Sequence, residues 1–198
     1  MSFGARGLDY DPIRVSTFPV CRAVANASLQ LEHLSASFLV DASYFFLALK
    51  PAWEWPNLTS LALTSRLLAP DESPIETDDM LTAAAAAAVR MPCLEILEMW
   101  NAQKGLAMLF RYQSVRGERS AVITCRGTWE FALRLPVTQA WEAVTLKRCG
   151  CRPAIVTEVL DIGADVKSHG DAIHRLKLST EVIRPVSLQQ IRMEHRYN

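Results

Sequence analysis

A short phrase that occurs twice, with a predicted helix between the copies, most constrains the fold of this chain. In residues 58–63 and 94–99, apolar side chains occupy the first, fourth and sixth places, and a proline lies two residues before each copy. Residues 77–90 separate the copies and contain six consecutive alanines, which favour a helix. A strand and a helix that repeat in this way are typical of a leucine-rich-repeat-like solenoid.

Hydrophobic periodicity, turn residues and helix-terminating residues predict the other elements. The predicted order is strand 31–36, helix 40–49, strand 58–63, helix 77–90, strand 94–99, helix 104–113, a β-hairpin of 120–125 and 128–133, helix 136–149, and strands 154–160 and 173–179. A competing frame reads Trp141, Val144 and Leu146 as another strand, but Pro136 at the start and Gly150 at the end favour a helix.

These elements predict one α/β domain over residues 28–198, preceded by residues 1–27, for which the sequence leaves two alternatives: an irregular lead-in or a disordered segment. The expected fold is a leucine-rich-repeat-like half-solenoid with a parallel sheet and with helices on one side. We expect β-rich C-terminal structure to close it, and a polar tail of residues 181–198 to cap the open end of the sheet, because solenoids need capped ends.

The charge balance limits the classes of partner. The chain has 21 basic and 21 acidic residues, so a dominant nucleic-acid partner is not expected. No run of apolar residues is long enough to span a bilayer, and residues 1–14 lack the apolar core of a secretory signal. Five cysteines without a framework spacing predict reduced thiols, and therefore an intracellular protein of the cytoplasm or nucleus.

The sequence predicts neither a metal site nor a cofactor. Cys149 and Cys151 form a close pair, but no second pair supplies the other ligands that zinc needs. Cys93 and Cys125 lie within predicted strands and are expected to be small core residues. A nucleophile elbow and a glycine-rich phosphate loop are both missing.

A polar cluster near the C-terminus supplies weak catalytic candidates: His169, Asp171 and His174. A histidine flanked by carboxylates can act as a general base, although the same residue types also build tight turns between strands. This cluster supports one alternative function, a small intracellular enzyme of secondary metabolism. Such an enzyme, isomerase-like or cyclase-like, would bind a small molecule in a pocket near the C-terminal hairpin.

The face of the predicted sheet that points away from the core is the stronger functional candidate. Alternation along each strand places one row of side chains on this face. The row consists of His33, Ser35, Ser37, Ser60, Ala62, Thr64, Ile96, Glu98, Trp100, Val122, Thr124 and Arg126, with Arg175 and Lys177 as further candidates. An exposed Trp100 between Glu98 and Arg126 would suit a binding hot spot. In the alternative reading, the lead-in or the hairpin covers Trp100.

The predicted binding residues are therefore Trp100, Glu98, Arg126, His33, Ile96 and Thr124. The function that this row favours is a non-enzymatic interaction module, whose partner is a protein or a peptide.

Several motifs resemble an uncharacterised fungal family of F-box-associated proteins with leucine-rich-repeat-like C-terminal regions. The motifs lie at residues 55–63, 91–98, 124–129, 168–178 and 185–191. The resemblance covers roughly residues 28–196 and implies the repeat fold, but it assigns no catalytic residue. Proteins of that group usually begin with an F-box that docks a ubiquitin-ligase scaffold. Residues 1–26 lack that pattern, so the resemblance does not extend to recruitment of a ligase.

Overall fold

Helices and strands alternate along most of the chain. The structure is a computed structural model, and it describes residues 18–114, 121–161 and 166–179, together with Gln189. The elements in chain order are α1 (Phe18–Ala27), a 3-10 turn (Ser28–Gln30), β1 (His33–Ser35), α2 (Ala42–Leu47), β2 (Ser60–Thr64), α3 (Pro74–Ala88), β3 (Ile96–Gln103), β4 (Leu106–Ser114), β5 (Ala121–Gly127), α4 (Leu135–Cys149), β6 (Ala154–Val159) and α5 (His169–Leu176).

The fold is α/β, and its strands form one sheet in the order β1-β2-β3-β4-β5-β6. β1, β2 and β3 are parallel to one another, and β5 is parallel to β6. β4 runs antiparallel to both of its neighbours. The sheet is therefore mixed but mostly parallel, and its strands lie side by side in the order in which the chain makes them.

The two copies of the repeated phrase lie side by side, as predicted. Leu61 of β2 is opposite Leu97 of β3, and Leu63 is opposite Met99. All four side chains are buried. The first apolar place of each copy lies just before its strand, so the phrase includes the turn into the strand as well as the strand itself.

Four helices cover one face of the sheet, which we call the first face. The alanine helix α3 begins at Pro74 and is capped by Ser73, whose side chain accepts a hydrogen bond from the Glu76 amide. Asp41 caps α2 and also accepts hydrogen bonds from Ser65 and Arg66 after β2. The core under this layer includes Cys21, Phe45, Leu61, Leu81, Leu97, Phe110, Ile123 and Trp141.

The predicted lead-in is helical where the structure describes it. Residues 18–27 form α1, whose Cys21 and Ala25 are buried in the main core. Residues 1–17 of that lead-in lie outside the described residues, as does the predicted capping tail from residue 181 apart from Gln189.

The predicted helix 104–113 is wrong, because these residues form β4. Residues 107–110 are apolar and buried on both faces of the sheet, and such a continuous run does not distinguish a strand from a buried helix. The informative signal was the two-residue turn at Lys104 and Gly105, where Gly105 has a φ of 77°. This turn pairs Gln103 with Leu106 and so begins a hairpin.

The predicted hairpin around residue 127 is also wrong. Gly127 lies within β5, which pairs with β4 and β6, and residues 128–133 form no strand. A Cβ atom at Gly127 would lie 2.4 Å from Met108 Cε and 2.8 Å from the Ala107 carbonyl oxygen. This glycine therefore permits close approach of β4 and does not make a turn.

The predicted strand 173–179 is wrong as well, because residues 169–176 form α5. Ser168 accepts a hydrogen bond from the Asp171 amide, and the Asp171 carboxylate accepts one from the Ser168 hydroxyl. These reciprocal bonds form a capping box, which starts a helix. α5 packs on the face opposite α1–α4, which we call the second face, so the expectation of helices on one side holds for α1–α4 alone.

The expected closure of the sheet is not found. Within the described residues, β1 and β6 are open edges. α4 and β6 occupy the positions predicted for a helix ending at Gly150 and for strand 154–160. The last strand thus extends the sheet outward.

Arginine side chains hold the ends of helices in this fold. Arg148 on α4 donates hydrogen bonds to the carbonyl oxygens of Leu94 at 2.7 Å and Ala88 at 2.8 Å, and also to that of Met91. These carbonyls lie at and beyond the C-terminus of α3, where helix carbonyls lack intrahelical partners. Arg148 therefore fixes α3 against α4.

Replacing Arg148 by methionine should destabilise the protein by about 2 kcal/mol, because buried carbonyls lose charged donors. Urea unfolding followed by circular dichroism measures this change. The matched control is Arg152→Met, whose side chain is 76% exposed and should change the free energy of unfolding by less than about 0.5 kcal/mol. Equal effects of the two substitutions would contradict the assigned contact.

A second prediction concerns pH. Burial raises the pKa of the Cys125 thiol from 9.0 to about 12. In the unfolded chain the thiol ionises at a lower pH than in the folded protein. Its contribution to the free energy of unfolding is therefore complete below about pH 9 and is lost as the pH rises toward about 12. Unfolding free energies measured between about pH 8 and about pH 10 should fall more steeply for the wild type than for Cys125→Ala. Parallel pH profiles would show that the thiol is not shielded.

Candidate functional site

The predicted binding residues do lie on one face of the sheet. His33 and Ile96 are both aligned with Ser60 in the first cross-strand row of the second face. Glu98 and Thr124 are both aligned with Arg111 in the next row. Trp100 and Arg126 are both aligned with Leu109 in the third row. The prediction that six strand residues share a face is thus confirmed, whereas their role in binding stays a prediction.

Trp100 is buried and not exposed, which corrects the expectation of an accessible hot spot. Its relative exposure is 0%, and its indole nitrogen donates a hydrogen bond to Ser37 Oγ at 3.1 Å. The Phe38 ring packs edge-on against it at 5.1 Å. α5 completes the enclosure with Ala172, Ile173 and Leu176. In the alternative prediction the lead-in or the hairpin covers Trp100. In the structure, α5 and the segment after β1 cover it.

Glu98 is the centre of a buried polar cluster. Its side chain is 1% exposed and forms an ion pair with Arg111, with an Nε–Oε1 distance of 2.7 Å. The same carboxylate accepts hydrogen bonds from the amide and hydroxyl of Ser179, the latter at 2.7 Å. Arg111 also donates to the carbonyl of Lys177, just after α5. Glu98 therefore holds the end of α5 on the sheet.

Arg126 attaches α5 to the sheet from the neighbouring strand. Its guanidinium lies 2.6 Å from a carboxylate oxygen of Glu158 on β6 and donates to the Leu176 carbonyl at 3.4 Å. Its Nε atom is buried without a hydrogen-bond partner in the described part of the chain. Arg175 and Lys177, which were expected to extend the row, belong to α5 and its cap instead.

The other predicted binding residues lie to either side of α5. His33 on β1 is exposed, and its Nδ1 lies 3.2 Å from Thr59 Oγ1. Ile96 and Thr124 are half-buried. The second face is therefore covered at its centre and accessible toward both of its edges.

The three catalytic candidates do not converge on one point. The Asp171 carboxylate is engaged in the capping box, where it accepts from the Ser168 hydroxyl at 2.9 Å and from the Lys167 amide at 3.2 Å. The His169 ring packs edge-on against Phe38 at 4.7 Å. His174 is exposed and lies five residues along the helix from His169, on a different side. The Asp171 and Ser168 hydrogen bonds therefore start α5, and the three candidates do not form a catalytic group.

Metal and membrane features can be assessed for the described residues. Within them, no group of three or more histidine, cysteine, aspartate or glutamate side chains is placed to hold a metal ion. Among the helices described, none is both long and apolar enough to cross a membrane. Cys125 is buried as predicted, whereas Cys93, Cys149 and Cys151 are half-buried.

Sequence reasoning predicted strand 154–160 but missed that it is an exposed apolar strand at the edge of the sheet. Ile155, Val156 and Val159 of β6 are 44%, 38% and 59% exposed, respectively. Within the described residues, the outer edge of β6 pairs with no strand. The segment 154–159 is rich in β-branched residues, so the strand itself could be predicted. Its position at an edge depended on β4 being a strand, which the sequence did not reveal.

Replacing Glu98 by glutamine should lower the free energy of unfolding by about 3 kcal/mol, because Arg111 would keep its charge in a mostly buried place without a counterion. Hydrogen exchange of the α5 amides should also become faster. The control is Glu72→Gln, whose ion-pair partner Arg66 is 52% exposed and remains solvated, so the substitution should cost about 1 kcal/mol or less. Unchanged exchange in α5 would contradict the anchoring function of Glu98.

Comparison with known proteins gives one result. No curated protein and no solved structure matches the chain. A match to a protein family covers residues 4–184, which is most of the sequence. The chain therefore belongs to the Family of unknown function (DUF6546).

Proposed function

We propose that this protein is a non-enzymatic interaction module that binds a protein partner along the open edge of its sheet. The observation that carries the proposal is β6, a six-residue edge strand with exposed apolar side chains on both faces. An exposed apolar edge invites pairing with another strand, and native proteins normally protect such edges. The partner that fits is an extended segment that adds to β6 as a further strand.

The backbone of β6 has groups available for such pairing. The Leu160 amide donates to the Gly127 carbonyl at 2.7 Å, so residue 160 faces β5. Because backbone groups alternate along a strand in a parallel pair, residues 158 and 156 also face β5. The amides and carbonyls of Ile155, Thr157 and Val159 consequently point to the open side.

Side chains beside β6 provide the selectivity that backbone pairing lacks. On the second face, Val156 is aligned with Thr124. Val156 is exposed and Thr124 is half-buried. Glu158 neighbours them and is engaged by Arg126. A partner strand would thus meet an apolar surface bordered by one ion pair. Thr124 and Arg126 belong to the binding row predicted from the sequence.

We further infer that β1-α2-β2-α3-β3 represents two units of a leucine-rich-repeat-like half-solenoid. The parallel register and the repeated phrase support this assignment. The resemblance to fungal F-box-associated proteins rests on the sequence motifs alone, and an intracellular location in the cytoplasm or nucleus rests on the cysteine pattern. If both are correct, a fungal cell extract is the appropriate source of partners.

Thr157→Pro tests the proposal, because it removes an outward amide and leaves the hydrogen bonds to β5 intact. Affinity capture from extract should lose its specific partner with Thr157→Pro, while Tm falls by no more than about 5 °C. Thr157→Val is the matched control, since it changes the side chain and keeps the amide. It should capture the same partner as the wild type.

Two further outcomes decide the matter. Ile155→Pro removes another outward amide and should reproduce the loss if Thr157→Pro alters folding. Retention of every specific partner by both folded proline variants would overturn binding through β6. Loss of the partner with Thr157→Val would show that the side chain, and not strand pairing, is recognised.

A further inference from the structure

A groove of about 500 Å³ lies between α1 and the segment that follows α2. Its size is within the usual range of ligand sites, about 300–1,000 Å³. Its wall consists of Phe18, Pro19, Arg22, Ala23, Asn26, Lys50 and Trp53. This groove is on the helical layer, away from the second face and from β6.

The groove combines aromatic surface with positive charge. The Arg22 guanidinium carbon lies 5.9 Å from the centre of the Phe18 ring, and Lys50 Nζ lies 5.5 Å from the Trp53 ring. Within the described residues, neither cation forms an ion pair. The described residues of its wall include no carboxylate, although the whole chain has a net charge of zero. Among the described residues, the groove is thus a local site of positive charge without a counterion.

One wall of the groove is held in place by Arg90. Its guanidinium donates to the carbonyls of Lys50 at 2.7 Å, Pro51 at 3.3 Å and Trp53 at 3.2 Å. It also lies 5.7 Å from the ring of Trp55, which packs edge-on against Trp53. The segment that carries Lys50 and Trp53 is therefore fixed before any ligand arrives, which lowers the entropy cost of binding.

We propose that this groove binds an acidic peptide segment that carries one large apolar side chain. Carboxylates of the peptide pair with Arg22 and Lys50, and the apolar side chain packs against Phe18 and Trp53. Charge complementarity favours a peptide over a nucleic acid, because two cations are too few to follow a phosphate backbone.

The test uses the full chain labelled with 5-fluorotryptophan, and Trp53→Phe identifies the resonance of Trp53. The probe is the capped peptide Glu-Asp-Gly-Phe-Asp-Glu, which carries one large apolar side chain, compared with its uncharged Gln/Asn counterpart. We expect the acidic probe to shift the Trp53 resonance saturably, and the uncharged probe to bind at least about tenfold more weakly. The affinity should also fall as the salt concentration rises, because exposed charge pairs are screened.

Charge-matched variants locate the site. Arg22→Gln with Lys50→Gln should weaken binding of the acidic probe by roughly tenfold or more. Lys104→Gln with Lys147→Gln removes the same charge from exposed positions elsewhere and should leave the affinity unchanged. No shift of Trp53, equal loss in both double variants, or tighter binding of a ten-nucleotide oligothymidylate would each overturn the proposal. Since β6 takes no part, these outcomes are independent of partner capture through the sheet edge.

Discussion

Guanidinium groups donate to backbone carbonyls at and beyond the ends of helices, and in this way they join the helices to neighbouring elements in this protein. The last carbonyls of a helix have no partners within it and carry partial negative charge, so an arginine both hydrogen-bonds and neutralises them. Arg148 joins the end of α3 to α4, and Arg90 joins that same end to the segment after α2. Arg111 and Arg126 hold the end of α5 on β4 and β5.

The same chemistry explains why the centre of the second face is covered. Glu98 and Arg111 lie opposite each other on neighbouring strands, and a buried pair of this kind needs further hydrogen bonds to be tolerated. The Lys177 carbonyl and the Ser179 amide and hydroxyl supply these bonds. The charged residues that resemble a binding site in the sequence therefore have partners within the chain. Accessible surface remains at the flanks, beside β1 and β6.

Sequence patterns predicted the first half of the fold better than the second. The structure follows the prediction where the hydrophobic spacing and the residues at the element boundaries indicate the same element. Examples are the repeated leucines of β2 and β3 and the helix between Pro136 and Gly150. β4 was missed because a strand buried on both faces loses its alternation. α5 was missed because an apolar spacing was weighed above the capping box of Ser168 and Asp171. The face shared by the binding candidates was predictable from alternation, but its burial depended on α5.

The two accessible surfaces differ in the physics by which each could bind. In the part of the chain that the structure describes, the outer edge of β6 is unpaired and carries β-branched side chains, so recognition there depends on strand geometry and tolerates many sequences. The groove beside α1 offers two cations that form no ion pair with other described residues, and such cations favour rapid encounter and selection by charge. Contacts run from α1 to α2, α3 and α4 in turn, whereas β6 is the far edge of the sheet beyond β5. Occupation of one surface therefore leaves the other accessible, and a partner that reached both would gain affinity from their linkage.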